Sequence, residues 1–186
     1  RLRAFSLAEG LADAQARWRH TPTGIWGPEC GYTPGMEVGY QDAGVSHFMV
    51  DGPALRGDTS LGRPVRDSDV VAFGRDLQVS YRVWSPKSGY PGHGAYRDFH
   101  TYDHETGLKP ARVTGRTVDS ENKAPYDPEL ASAAVDRHVA DFVDDVRKRL
   151  REESDRIGRD ALFVAAFDTE LFGHWWYEGP EWLEKV

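Results

Sequence analysis

Two acidic residues each follow an apolar segment and lie among aromatic side chains. Glu29 occurs in the stretch "GIWGPECGYTPG". Asp168 follows the continuous apolar run "ALFVAAF", residues 161–167. In α/β folds, catalytic residues gather at the carboxyl ends of strands. Paired carboxylates flanked by aromatic rings therefore predict glycosidic-bond chemistry, in which one acid acts as nucleophile or base and the other donates a proton.

The aromatic neighbours of both acids suit stacking on sugar rings. Trp26 and Tyr32 surround the first acid, and Trp175 and Trp176 follow the second. Adjacent residues rarely share a face, so one of the tandem tryptophans is expected in the core. Apolar neighbours would also favour the protonated form of the second acid by desolvating its charge. An alternative stays open, in which each acid caps a turn or pairs with an arginine.

Other polar residues near the second acid, Asp168, could bind substrate, position that acid or donate the proton in its place. His174 could bind a sugar hydroxyl or steady Asp168, or it could be a hydrogen-bonded core histidine. Glu170 and Glu178 are rivals for the proton-donor role. Glu170 would share a strand face with Asp168 if the strand continued.

Metal and thiol chemistry are weaker interpretations. His100 and His104 are four residues apart, but the stretch "HTYDH" is predicted as a loop with no fixed face, so no metal site is predicted. Cys30 would need a histidine partner to act as a nucleophile. A small packed cysteine is the simpler interpretation.

Two shorter elements are predicted from capping and alternation. Ser6 as N-cap, with Glu9 three residues on, predicts a helix that runs to about Trp18. Residues 77–84, "LQVSYRVW", alternate apolar and polar side chains and predict a strand. Residues 41–69 are polar and rich in Gly, Pro and Asp, and the weak apolar clusters "VSHFMV" and "DVVAF" are predicted to be strand fragments in long loops.

The remaining elements predict an α/β fold. A long helix is expected to begin at Pro128 after the capping residue Asp127, to bury one face, and to end at Gly158. Residues 161–167 then predict a strand buried on both faces, as in a parallel sheet. Strand, loop, long helix and buried strand form an α/β order, with no convincing domain boundary inside the chain.

The composition excludes several classes of partner. The 186 residues suit one domain, and a net charge of −7 argues against nucleic acid or an anionic membrane surface. No apolar run approaches about 18 residues, so no membrane span is expected. The single cysteine cannot form an internal disulfide and indicates a reducing, cytoplasmic location.

Together, "GIWGPECGYTPG" and "FDTELFGHWWYEGPEWL" resemble two signature blocks of family 57 of the glycoside hydrolases, and in particular its members that branch 1,4-α-glucans. The resemblance implies that Glu29 is the nucleophile and Asp168 the general acid/base. It also implies a retaining mechanism on part of an incomplete (β/α)7 barrel, with neither a metal nor an organic cofactor.

A third stretch, "SGYPGHGAYRDFH", resembles the flexible active-site loop of the family, inserted near residues 85–100. The resemblance links a tyrosine of this loop to branching rather than hydrolysis. Tyr90 is the first choice for that tyrosine and Tyr96 the second. Gly89, Gly92 and Gly94 are expected to act as hinges.

The resemblance implies an α-1,4-glucan substrate, such as amylose or a glycogen-like polysaccharide. A 4-α-glucanotransferase or an α-amylase-type hydrolase of the same family is the alternative activity, and a non-catalytic α-glucan-binding protein is a further one. The N-terminal H-x-H block of the family and its C-terminal helical region do not occur in this sequence. The chain is therefore expected to need the rest of a catalytic domain as its partner and to be inactive or poorly stable alone.

Overall fold

A computed structural model describes residues 1–85 and 87–186, so Pro86 of the predicted loop lies outside the described residues. The chain forms two compact units. Unit 1 comprises Arg1–Leu77 and Ala161–Val164, and unit 2 comprises Gln78–Asp160 and Ala165–Val186. Each unit is assembled from two separate segments, which explains why no linker marks a boundary in the sequence.

Unit 1 contains a four-stranded mixed sheet. Its strands are β1 (Gly24–Trp26), β2 (His47–Asp51), β3 (Arg63–Pro64) and β4 (Val71–Arg75), in the order β1-β2-β4-β3. β1 and β4 both pair in parallel with β2, and β3 pairs antiparallel with β4. The strand fragments expected near "VSHFMV" and "DVVAF" are thus confirmed as β2 and β4.

Two helices precede and separate the parallel strands. They are α1 (Leu2–Trp18) and α2 (Met36–Asp42). The predicted end of α1 is correct, but its start is wrong, since the helix begins at Leu2 without a side-chain cap. The core of unit 1 lies where β2 and β4 meet α2; its buried members are Tyr40, Val45, Phe48, Val50, Val70 and Ala72.

The predicted strand 161–167 is mostly wrong. A parallel bridge joins Val164 to Arg75 at the end of β4, and the Val164 carbonyl accepts a hydrogen bond from the Asp76 N–H at 2.8 Å. The direction is the expected one, but residues from Ala165 onward belong to unit 2. The chain therefore leaves the sheet before a longer strand can form.

The predicted strand 77–84 is also wrong, because these residues form helix α3 (Leu77–Trp84). Over eight residues, apolar alternation also satisfies helical spacing. The helix buries Val79, Ser80 and Val83 on one face and leaves Tyr81 exposed. Three- and four-residue spacing thus decides the structure here.

Helices α4 (Pro128–Ile157) and α5 (Gly179–Lys185) pack together in unit 2. The prediction for α4 is confirmed. The Asp127 carboxylate accepts hydrogen bonds from the backbone N–H groups of Glu129 and Leu130 at 3.0 and 3.1 Å, and Gly158 ends the helix with φ 67°. None of the helices in the described part of the chain combines the length and the apolar character that a transmembrane span requires.

Candidate active site

Glu29 lies in a tight turn directly after β1, as the sequence predicts. We call residues 27–31 the Glu29 turn. Hydrogen bonds from Cys30 N–H to Gly27 O (3.1 Å) and from Gly31 N–H to Pro28 O (2.9 Å) close it. The Glu29 side chain is exposed and can receive a ligand from solvent.

The backbone of the Glu29 turn is strained. Glu29 (φ 54°) and Cys30 (φ 55°) both adopt the left-handed conformation. For residues other than glycine this conformation costs about 1–2 kcal/mol each. Strain of this kind collects at functional sites, where surrounding contacts hold it in place.

Trp26 is fixed from two sides. Its indole N–H donates a hydrogen bond to Cys30 Sγ at 3.0 Å. The guanidinium of Arg75 lies over the indole, 5.8 Å from the ring centroid. Cys30 is half-buried, which agrees with its predicted packing role.

Tyr32, a predicted sugar-contacting residue, is half-buried in unit 1. Its ring stacks on Phe48 with centroids 5.1 Å apart, and its hydroxyl donates to Glu37 Oε2 at 2.8 Å. Burial and the hydrogen bond to this carboxylate raise the pKa of Tyr32 to about 12. Its substrate-binding role stays a prediction.

Glu37 is a structural acid that the sequence analysis missed. Its side chain lies on the buried face of α2, and its Oε2 also accepts the Gly35 N–H at 2.7 Å. The hydrogen bond from Tyr32 holds the pKa of Glu37 below its usual range. An acid within two residues of a turn glycine, followed by the apolar core residue Tyr40 three residues on, is the signal that could have revealed it.

Asp168 occupies unit 2 at the start of a compact loop. A short 3₁₀ turn, Thr169–Leu171, follows it, and a bridge pairs Phe172 with Trp176. Asp168 is exposed, so the described residues do not supply the expected desolvation of its charge. Gly179 is required behind this loop, because a Cβ there would lie 2.8 Å from Phe172 Cα.

The tandem tryptophans face opposite ways, as predicted. Trp176 is 1% exposed and packs against Tyr96 and Trp182 with ring centroids 5.4 and 5.6 Å away. Trp175 is 49% exposed and leans on Phe99 at 4.4 Å. Trp175 is thus available to a sugar, whereas Trp176 is a core residue in this structure.

His174 is exposed, which excludes the core-histidine interpretation. Its ring meets Phe99 and Trp175 edge-on, with centroids 5.2 Å away in each case. Both rivals of Asp168 can also be placed. Glu170 is exposed, whereas Glu178 is buried and accepts the Arg97 N–H at 3.0 Å, and burial raises its pKa.

The two loop tyrosines lie in the aromatic core of unit 2. The Tyr90 hydroxyl donates to Asp141 Oδ2 at 2.7 Å, and the Tyr90 ring stacks on His138 at 4.4 Å. Tyr96 is fully buried, and its hydroxyl shares a 2.6 Å hydrogen bond with His138 Nδ1. A role at the acceptor, which stays a prediction, would require either ring to leave this packing.

Two of the expected glycine hinges, Gly89 and Gly94, are closely packed in this structure, and their hinge role stays a prediction. A Cβ at Gly89 would lie 2.5 Å from Ser85 O, and one at Gly94 would lie 2.6 Å from Thr114 O. These glycines therefore permit close backbone packing, which holds the loop against its surroundings.

His138 is the second important residue that the sequence analysis missed. Burial, with a smaller contribution from His93, lowers the pKa of His138 to about 4, so the ring is neutral near pH 7. It lies three residues after Val135 and four before Phe142, both buried on α4. This spacing could have placed His138 on the apolar face.

The structure places Glu29 in unit 1 and Asp168 in unit 2. Their pairing therefore stays a prediction. Within residues 1–85 and 87–186, no group of three or more His, Cys, Asp or Glu side chains is arranged to hold a metal ion.

The fold matches solved structures of sugar-processing enzymes. A family 57 branching enzyme from Thermococcus kodakaraensis, in complex with glucose, has a TM-score of 0.89 and 32% identity, covering 100% of this chain and 40% of its own. A family 57-type branching enzyme from Pyrococcus horikoshii has a TM-score of 0.88 and 33% identity, with 95% and 36% coverage. These matches confirm the resemblance to glycoside hydrolase family 57 and the prediction of an α/β fold that forms part of its barrel.

The names of curated relatives are more specific about activity than the fold is. A probable 1,4-α-glucan branching enzyme of Mycobacterium tuberculosis is 78% identical over all 186 residues, and a 1,4-α-glucan branching enzyme of Thermococcus kodakarensis is 35% identical over 212 aligned positions. The chain spans 35% and 31% of these relatives, about a third of their length. No protein-family model matches the chain.

Proposed function

We propose that the complete protein carrying this chain is a 1,4-α-glucan branching enzyme. The observation that carries the proposal is the 78% identity to a probable branching enzyme over the whole chain. Both predicted catalytic segments fall inside that alignment. The strained, exposed Glu29 turn adds independent support, because it presents a carboxylate that the described residues leave unpaired.

The reaction is a double displacement. The Glu29 carboxylate attacks the anomeric carbon of an α-1,4-glucan, while Asp168 gives its proton to the departing glycosidic oxygen. A covalent glycosyl-enzyme results, with the non-reducing segment on Glu29. Asp168, now ionised, takes the proton of an incoming 6-hydroxyl, whose oxygen attacks the anomeric carbon and releases Glu29. Two inversions yield an α-1,6 branch with retained configuration.

Transfer to a sugar must compete with transfer to water. The aromatic side chains beside the two acids are proposed to hold the glucan and exclude water. Trp175 offers an exposed ring and His174 an exposed imidazole, whereas Trp26 and Tyr32 are half-buried. Trp175 and His174 are therefore the strongest substrate-binding proposals among the predicted residues.

The test uses amylose and the complete protein. Asp168→Asn is expected to lower kcat by about 10²- to 10⁴-fold, the usual contribution of a general acid/base, and Glu29→Gln by at least as much. Glu170→Gln, a neighbouring exposed acid, is the matched control. If activity is present and survives Glu29→Gln, Glu29 is not the nucleophile; amylose binding without any activity would instead support a non-catalytic glucan-binding protein.

A second activity has its own supporting observation. The α-amylase AmyC of Thermotoga maritima matches with a TM-score of 0.84 and 33% identity, covering 98% of this chain and 40% of its own. Iodine staining followed by enzymatic debranching separates the possibilities. A branching enzyme makes new α-1,6 links, a 4-α-glucanotransferase makes only α-1,4 links, and a hydrolase releases reducing ends.

We also propose a role in glycogen-type polysaccharide synthesis in the cytoplasm. The cysteine content supports this location, and the acidic charge favours an α-glucan as the partner over nucleic acid or a membrane. Deleting the gene should shorten or remove α-1,6 branches in the stored glucan. Recovery of the protein mainly outside the cytoplasmic fraction would contradict the location.

A further inference from the structure

The position of Glu29 is set by its backbone. The carboxylate forms no hydrogen bond or ion pair within the described chain, so no side-chain partner orients it. Whatever holds the Glu29 turn in shape therefore also aims the proposed nucleophile.

The conformation of Cys30 calls for a side-chain contact. At φ 55°, a glycine would fit without steric cost, whereas cysteine is strained. The side chain of Cys30 must then offer something that glycine cannot. The structure shows one such contact, the 3.0 Å hydrogen bond from the Trp26 indole N–H to Cys30 Sγ.

Trp26 is itself anchored to the sheet. It is the last residue of β1 and pairs with Met49 of β2. The Arg75 guanidinium lies over its indole and is held by Asp51, with distances of 2.9 Å from Nε and 2.6 Å from Nη2 to Oδ1. The indole thus connects rigid strands to the strained turn.

We propose that Trp26 is a positioning residue, which acts through the Cys30 thiol to fix the turn that presents Glu29. This assigns the indole a role different from the sugar platform that its sequence context predicts. The catalytic part of the inference rests on the proposed function. The structural part, that the indole–thiol bond holds the Glu29 turn, does not.

Kinetics of the complete protein on amylose test the catalytic part. Trp26→Phe keeps an aromatic ring but removes the N–H, and Cys30→Ala removes the acceptor. Each is expected to lower kcat by about 3- to 10-fold, with KM changed less than about 2-fold. Cys30→Ser, which can still accept the bond, should restore most of kcat, and Trp84→Phe, at an exposed tryptophan of α3, serves as the matched control.

Cys30→Gly separates positioning from stability. It relieves the strain and removes the bond, so the thermal midpoint should stay or rise while kcat falls as in Cys30→Ala. The double variant Trp26→Phe/Cys30→Ala should be no slower than either single one, because both remove the same bond. If the two single effects on kcat multiply in the double variant, the proposal is overturned. A rise in KM with kcat unchanged would also overturn it and would support a role for Trp26 in stacking on the sugar.

Hydrogen exchange gives a readout that needs no enzymatic activity. The amides of Cys30 and Gly31 should exchange about 3- to 10-fold faster in Trp26→Phe and Cys30→Ala than in the parent and Trp84→Phe. If exchange is unchanged, the positioning proposal fails even in an active enzyme. If exchange responds but the parent lacks glucan activity, the proposed function fails and the structural role stands.

Discussion

At the residue scale, the tandem tryptophans Trp175 and Trp176 show that two adjacent identical side chains can have different roles. Trp176 lies in a fully packed aromatic cluster, whereas half of the Trp175 surface faces solvent. Burial of a large ring contributes to folding, and an exposed ring offers a stacking surface to a ligand. Stability and substrate-binding measurements can therefore distinguish the role of Trp175 from that of Trp176.

The first prediction concerns these two rings. Trp176→Ala in the complete protein is expected to cost about 3–5 kcal/mol of unfolding free energy, because it leaves a large cavity. Trp175→Ala should change stability by less than about 1 kcal/mol and raise KM for amylose several-fold. Denaturant unfolding and steady-state kinetics check both. A large stability loss in Trp175→Ala would contradict the assignment.

The sequence predicted where Glu29 lies along the chain better than it predicted the conformation of its backbone. Glu29 follows β1 as expected, but no pattern in the sequence predicted its left-handed backbone or the hydrogen bond between Trp26 and Cys30 beside it. The spacing around Glu37 and His138 could have indicated their buried positions, but not the tyrosine hydroxyls that bond them. Each is defined by hydrogen-bond partners contributed by other elements or turns of the fold.

At the element scale, α4 is the support on which the loop after α3 is held. Asp141 of α4 accepts the Tyr90 hydroxyl and also pairs with Arg82 of α3 at 2.6 Å. His138, one turn earlier, bonds Tyr96. Two tyrosines of one loop thus bind successive turns of one helix, which attaches residues 90–96 to α4 within unit 2.

The second prediction tests this attachment. Tyr90→Phe and Asp141→Asn alter the same hydrogen bond, so both should raise the ratio of hydrolysis to transfer, and the double variant should add little. Asp144→Asn, on the exposed face of α4, is the control. The ratio is measured as reducing ends released per α-1,6 link formed. A change in Tyr90→Phe alone would favour direct contact with the acceptor.

The third prediction is a pH dependence of stability. The pKa of His138 is about 4 in the folded protein, below its ordinary value of 6.5, because burial and His93 disfavour the charged ring. The neutral ring is fully compatible with folding above pH 6.5, and stability falls as the pH drops from there towards 4. His93 and Arg137 oppose protonation, while Asp141 favours it.

Thermal unfolding of the parent and of His138→Gln at pH 7 and pH 5 checks this dependence. Glutamine can still bond the Tyr96 hydroxyl but does not titrate in this range. The parent should lose more stability than His138→Gln between the two pH values. Equal losses would show that His138 does not contribute to the acid sensitivity.

Element prediction succeeded where several signals agreed and failed where one stood alone. For α4, the Asp127 cap, Pro128, apolar spacing and Gly158 all pointed to the same bounds. For α3, apolar alternation over eight residues was the sole signal, and it fits both periods. For residues 161–167, composition predicted an extended parallel segment, but not that its pairing would end at Val164.

At the scale of the whole molecule, the chain provides two acidic segments that belong to different compact units. A retaining double displacement requires their carboxyl groups to lie about 5–5.5 Å apart. The relatives suggest how such an arrangement would be completed, because the chain spans about a third of their length. Exposed apolar residues of α1, including Leu2 and Trp18, are consistent with further protein covering this helix.

The fourth prediction follows from that arrangement. The 186-residue chain expressed alone should lack measurable branching of amylose and should unfold at a lower temperature than the same residues within the complete protein. Exposed apolar surface on α1 would be left in water, and the remaining two thirds of the length of the relatives would be missing. Activity is measured by debranching the product. The unfolding temperature is measured by following hydrogen exchange of the β2 and β4 amides while the temperature is raised. Robust branching by the isolated chain would show that these residues already assemble a working pair of carboxylates.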